Sequence, residues 1–263
     1  MFYRTRSLIQ FLMRSQGARW LHSPFVFHLH QHVIRFSPIR PHIESQRRAY
    51  RRDMRRIAVQ DWGAGKDKTY RRIADITRKA VAPAAKAAFL RRLCDHQEAH
   101  TVIELGTSLG LTTAYLADNQ RHRIVHTIEG CPNIHALSQE TFQRLNLSNI
   151  RGHQGKIADV LPPLLETLPV LDVVFLDAHH AYTPTLRYFD CCLPKLHRQS
   201  LVIVDDLYWS PDMTRAWHTL CAHPSVCTSV DLFAVGLLFF DPIHPKQHFI
   251  LRNKTVFDLI FAR

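Results

Sequence analysis

Four apolar runs that each close on a carboxylate restrict this chain's fold more than any other feature. They are Thr101–Leu105 with Glu104, Arg123–Glu129, Leu171–Asp177, and Ser200–Asp206 with its paired acids. Short β-branched and aliphatic runs with little polar alternation belong to strands covered on both faces, as in a parallel sheet flanked by helices. Such sheets place their ligands beyond the carboxyl ends of the strands. Acids at four of those ends therefore predict a polar site along one edge of an otherwise apolar sheet. Helical spacing separates the runs, at Leu111–Ala117 and Pro132–Leu145 among others. The last two, Cys227–Phe233 and Gly236–Phe240, lie too close for a crossover and must be antiparallel.

The first run continues as Thr101–Ala117, TVIELGTSLGLTTAYLA, a strand that turns through Gly106 and Gly110 into a helix. Glycine lets backbone approach a ligand, and the first helical turn offers unpaired N–H groups, so this segment is a cradle for an anion or a nucleotide. The glycines stand four apart with Ser108 between them, which fails the G-x-G-x-x-G spacing of a dinucleotide site. Glu129, 19 residues beyond Gly110, ends the next strand, where a carboxylate can accept both ribose hydroxyls of a bound nucleoside.

Charge divides the chain in two. Residues 1–100 carry a net +14 and residues 101–263 a net −2, of a total of +12. The basic part reads as mostly helical over residues 1–60. Leu8, Ile9, Phe11 and Leu12 form one short amphipathic helix, and Ser23 caps another that has Pro24 in its first position. Arg47–Arg56 puts six arginines at helical spacing, a face that either grips phosphate or is simply solvated. Asp61–Gly65, D-W-G-A-G, is a second glycine loop without an acid-ended strand after it. It reads as a loop over a pocket or a plain turn, followed by helices at Tyr70–Lys79 and Ala84–Cys94. The six cysteines show no C-x-x-C pair and no zinc spacing, and read as reduced thiols. Neither a secretory leader nor a run of ~20 apolar residues is present, so a cytoplasmic protein without a membrane span is expected.

E-L-G-T-S-L-G resembles motif I of class I S-adenosylmethionine-dependent methyltransferases. The variant without the middle glycine is similar to the catechol-type, small-molecule O-methyltransferase branch. The resemblance covers roughly residues 84–241. It implies an α/β fold: a doubly wound, mostly parallel, seven-stranded Rossmann-like sheet with an antiparallel last strand. Residues 84–263 would form that domain and residues 1–83 a basic helical extension that can cover the pocket. The implied cofactor contacts are Glu104, Gly106, Thr107, Ser108, Gly110, Glu129, Gly155, Lys156, Ile157 and Asp177. Many relatives carry an acid where Lys156 stands. F-L-D-A-H-H and V-I-V-D-D-x-x-W are similar to the two motifs that hold a divalent metal in that branch, so Asp177, Asp205 and Asp206 are the implied ligands, with Asp206 in place of an asparagine. Three carboxylates suit Mg²⁺ or Ca²⁺. The branch's catalytic lysine, three residues after the first acid, is His180 here. With Asp177 it forms the catalytic pair: an imidazole can take a hydroxyl proton near neutral pH.

These observations predict S-adenosylmethionine-dependent O-methylation of a small molecule. Two alternatives stand beside it: an RNA methyltransferase using the basic N-terminal region, and a non-catalytic protein that retains the nucleoside pocket. The acceptor and the oligomeric state have no signature in the sequence.

Overall fold

The computed structural model describes residues 2–17, 21–34, 38–61, 66–118, 122–243 and 246–252. The glycines of D-W-G-A-G lie outside the described residues. The N-terminal part comprises α1 (Phe2–Arg14), α2 (Pro24–Leu29) running into a π-helical turn (His30–Ile34), and α3 (Pro41–Arg52). An antiparallel hairpin follows, β1 (Arg56–Asp61) and β2 (Lys66–Arg72), then α4 (Ile73–Lys79). The alternating part is α5 (Ala84–His96), β3 (Thr101–Leu105), α6 (Leu111–Ala117), β4 (Ile124–Glu129), α7 (Pro132–Arg144), β5 (Ile150–Gln154), α8 (Ile157–Thr167), β6 (Leu171–Leu176), α9 (Tyr182–Cys192), β7 (Leu196–Asp205) and α10 (Pro211–Ala222). It ends in β8 (Thr228–Asp231), β9 (Val235–Phe239) and β10 (Gln247–Ile250).

The central sheet has the order β10-β8-β9-β7-β6-β3-β4-β5. The seven expected strands are all present, and β9 is antiparallel to both β7 and β8. An eighth strand, β10, adds in parallel to β8. Its four residues, QHFI, begin with two exposed polar side chains and lack the apolar run that marks the other strands.

Alternation along each strand sends side chains to opposite faces. Val102, Val173, Phe175, Leu201 and Ile203 enter one core with α5 and the N-terminal helices; Ile103, Leu105, Val174, Leu176, Val202 and Val204 enter the other, against α8–α10. Phe11, Val26, Leu29, Val33 and Ile34 belong to the first of these cores. α1 is tied further by Tyr3 Oη donating to Thr214 Oγ1 at 2.8 Å and by the ring of Phe11 lying edge-on to Phe233 at 5.3 Å. Ser23 caps α2 through the amide of Val26, as its sequence position implies.

A third cluster joins α3, the hairpin, α4, α6 and α7. Two tyrosines pin α3 there: Tyr50 Oη donates to the carbonyl of Leu137 at 3.1 Å, and Tyr115 Oη donates to Glu44 at 2.9 Å.

Two expectations change here. Tyr70–Lys79 is not one helix, because Tyr70–Arg72 pairs with Arg56–Ala58 in the hairpin and only Ile73 onward is helical. The six arginines of 47–56 do not share a face. Arg47 is buried against Glu44 and the carbonyl of Ala82, Arg55 lies beyond the helix against Asp53, and Arg56 begins β1.

Phe11 is 2% exposed, so Phe11→Ala should lower unfolding free energy by about 3–5 kcal/mol in a single denaturant transition. A loss below about 1 kcal/mol would mean that α1 detaches from the core without cost.

Candidate functional site

Strand register builds the site. Leu105 of β3 pairs with Ile128 of β4 and with Leu176 of β6, and Leu176 pairs with Val204 of β7. The next residue of each strand is Glu129, Gly106, Asp177 and Asp205, so these four stand in one row at the carboxyl edge. The row closes tightly at Gly106. Its φ is +105°, and a Cβ there would lie 2.3 Å from the carbonyl oxygen of Asp177. Only glycine fits.

A cavity of about 750 Å³ opens above this row. One half has Gly106, Ser108, Glu129, Gly130, Lys156 and Ile157 on its wall. Glu129 is held by two backbone amides at 2.9 Å, Ser108 N to Oε2 and Cys131 N to Oε1. The carboxylate is thereby fixed in orientation beside the glycine turn. This cradle and its acid fit the ribose of S-adenosylmethionine. Residues Val59, Gln60 and Arg71 of the hairpin line the same cavity.

The other half holds Lys86, Asp177, His179, His180, Asp205, Asp206 and Trp209. Lys86 comes from the first turn of α5, and its ammonium is in ion-pair contact with Asp205; their side chains are 8% and 4% exposed. His180 Nε2 lies 3.7 Å from Asp177 Oδ1. Burial opposes the charge on Lys86, but Asp205, Asp177 and Asp206 outweigh it, and its pKa is raised. Burial, then the charge of Asp205, pushes Asp177 well above the carboxylate range. Asp205 itself is held low, the charge of Lys86 opposing its burial. Among the described residues, seven non-glycines have positive φ, and Ser108, His179, His180 and Asp206 of these line this cavity. Strain of this kind collects where side chains are aimed at a ligand.

The cavity brings together Gly106, Ser108, Glu129, Lys156, Ile157, Asp177, His180, Asp205 and Asp206 of the residues singled out by sequence. Four others are not on its wall. Glu104 is fully buried and points from β3 toward α6, where Thr113 and Thr127 donate to its Oε2, the latter at 2.7 Å. Thr107 is hydrogen-bonded to Thr127 at 2.6 Å and extends this internal chain. Gly110 and Gly155 shape turns: both have positive φ, and a Cβ would strike the Phe142 ring and Val160 respectively. Of the three implied metal ligands, Asp205 has the Lys86 ammonium against it, an arrangement that does not fit a divalent cation at that carboxylate. Among the described residues, no group of three or more His, Cys, Asp or Glu is arranged to hold a metal ion. Lys86 was not legible as a site residue. Its one signal is a charged side chain alone in the small apolar run AAKAAFL.

A family model described as a methyltransferase domain matches residues 103–207, which spans β3 through the acid pair after β7. A catechol O-methyltransferase of Niastella koreensis is 33% identical over 122 residues, 45% of this chain; the chain spans about half (53%) of that relative. An O-methyltransferase from Bacillus cereus in complex with S-adenosylhomocysteine superposes with a TM-score of 0.57 at 18% identity, over 81% of this chain and 95% of that one. TomG from Streptomyces achromogenes, an O-methyltransferase in complex with S-adenosylmethionine, superposes with a TM-score of 0.53 at 20% identity, over 61% and 82% of the two chains. The fold and the strand-end row thus define the class I S-adenosylmethionine-dependent methyltransferase architecture. Residues 103–207 match a methyltransferase domain, in agreement with the resemblance read from E-L-G-T-S-L-G.

The position of Glu104 carries a prediction. Burial raises its pKa from the ordinary 4.5 to about 7, against the two threonine hydrogen bonds that lower it. A raised acid pKa means the folded state binds the proton more tightly, so stability is full below pH 4.5 and falls as pH rises toward 7. At 1.36 kcal/mol per pH unit the loss is about 3 kcal/mol. Glu104→Gln should remove this slope and make the variant more stable than wild type at pH 8 in urea titrations. Parallel pH profiles for the two proteins would contradict the assignment.

Proposed function

We propose that this protein transfers the methyl group of S-adenosylmethionine to an oxygen of a small-molecule acceptor. The observation that carries the reading is the row of strand ends, with Glu129 and Gly106 on the nucleoside side and Asp177 and His180 on the other. When bound, S-adenosylmethionine supplies a methyl on a positively charged sulfur, so the protein needs alignment and proton removal rather than a nucleophile of its own. Glu129 would accept the ribose hydroxyls while its own orientation is held by the amides of Ser108 and Cys131. Asp177 sits beside the glycine turn, where it can position the donor's amino end. His180 is the proton acceptor for the substrate hydroxyl, with Asp177 Oδ1 3.7 Å from its Nε2. Trp209, half exposed with its ring 6.2 Å from that of His180, offers an apolar face to the acceptor. The hairpin residues Val59 and Gln60 would cover the nucleoside half, a role consistent with Gln60 N contacting Cys131 Sγ at 3.4 Å.

One observation favours a second reading of the acceptor. Arg4, Arg51, Arg71, Arg78 and Lys79 all line the cavity, a basic rim above an acidic floor. Such a rim would draw an anionic acceptor, RNA included. Among the described residues no helix is long and apolar enough to cross a membrane.

Calorimetry tests the cofactor assignment. Wild type should bind S-adenosylmethionine, Gly106→Val should lose binding, and Glu129→Gln should bind at least about tenfold more weakly, as expected for a charge-assisted hydrogen bond. His180→Ala should retain cofactor affinity while turnover falls ~10²–10⁴-fold. Equal cofactor binding by wild type and both cradle variants would sink the reading.

RNA binding is checked by salt dependence. If RNA is the acceptor, affinity falls steeply with salt, and Arg51→Glu with Lys79→Glu flattens the slope. Absence of RNA affinity at low salt leaves a small anion or a neutral small molecule as the acceptor.

A further inference from the structure

We propose that Lys86 is a resident cation: its ammonium holds the place and charge that a divalent metal would otherwise take among Asp177, Asp205 and Asp206, and it is the positive group that faces the acceptor's oxygen. The first part stands on the geometry alone; the second rests on the methyl-transfer reading above.

Three observations carry it. Lys86 lies in the first turn of α5, directly after Pro83. That end of a helix is electropositive and disfavours a cation, so the position is not set by the helix. It is set by Asp205, against which the ammonium lies with both side chains almost fully buried. Lysine is almost never buried without a partner. Asp177 and Asp206 line the same cavity wall beside this pair.

The ammonium also lies on the wall of the cavity that contains His180 and Trp209. It is therefore shared between the acids behind it and whatever occupies the space in front. An ammonium has three N–H donors, and one is engaged by Asp205. A divalent ion brought to the same point would meet that positive charge at short range. It would also need about six oxygens, and Asp205 is already held in the ion pair.

The chemistry changes accordingly. A metal gathers two neighbouring oxygens of a vicinal diol, whereas an ammonium donates single hydrogen bonds and cannot chelate. The acceptor class that follows is a compound with one deprotonable hydroxyl, a second adjacent hydroxyl being dispensable. In the step, the hydroxyl proton passes to the His180 imidazole. The oxygen's electron pair forms the new O–C bond while the C–S pair withdraws onto sulfur. Lys86 breaks no bond and keeps its proton, stabilising the oxygen as charge develops on it.

The test is metal binding, read by manganese electron paramagnetic resonance and by calorimetry with Mn²⁺ as the probe. Neither measurement needs methyl transfer, so failure of the methyltransferase reading leaves this result intact. Wild type should leave millimolar Mn²⁺ free, and its melting temperature should not move on addition of the ion. Lys86→Met exposes three carboxylates without their cation. It should bind one Mn²⁺ at least about tenfold more tightly than wild type, and the ion should raise its melting temperature. Lys86→Arg, which keeps the charge, should behave as wild type. If Lys86→Met folds poorly, its recovery should be restored by millimolar Mn²⁺ during purification. Tight Mn²⁺ binding by wild type overturns the proposal, and so does a Lys86→Met protein that neither binds Mn²⁺ nor is stabilised or recovered by it.

Discussion

Everything at the candidate site depends on one backbone constraint: the in-register parallel pairing of β4, β3, β6 and β7. Because Ile128, Leu105, Leu176 and Val204 stand abreast, the residues that follow them must emerge together. A shift of one residue in any of these strands would turn its terminal acid into a core and bring an aliphatic side chain to the cavity. The apolar alternation that fills the two cores is thus what holds the register, and the register is what delivers the carboxylates. Gly106 marks where this leaves no room, since Asp177's carbonyl occupies the volume of a Cβ.

Bringing acids together has an electrostatic cost, and the fold offsets it locally. Burial and the charge of Asp205 push the pKa of Asp177 up, while Lys86 reaches from α5 to neutralise Asp205. Glu129, one strand further from the cluster, is satisfied by two backbone amides instead. The same row therefore contains two kinds of carboxylate. One is oriented by the peptide backbone and suited to neutral hydroxyl groups. The others are coupled to an internal cation and suited to a centre where charge moves.

Much of this was legible in the sequence because it rests on local pattern. Acid-ended apolar runs located the strand ends, glycine spacing excluded a dinucleotide site, and Ser23-Pro24 marked a helix start that the structure retains. What was not legible depends on partners far along the chain. Lys86 reads as an ordinary helix lysine until β7 places Asp205 beside it. Glu104 has the same motif position as an acid near a ligand, yet strand alternation turns it inward to Thr113 and Thr127. Tyr70–Arg72 has helical composition on its C-terminal side but is captured by Arg56–Ala58 across the hairpin. Arg47 resembles its exposed neighbours in sequence and differs only because α3 docks with that face inward.

The central claim is that the strand-end row seats a nucleoside on Glu129 beside an acid cluster already neutralised from within. The most direct measurement is diffraction at the manganese absorption edge from crystals grown with S-adenosylhomocysteine and Mn²⁺. The account predicts ribose hydroxyls within hydrogen-bond distance of Glu129, the sulfur on the Asp177 side, and no anomalous peak among Asp177, Asp205 and Asp206. A manganese peak there with Lys86 displaced, or a nucleoside bound away from Glu129, would contradict it.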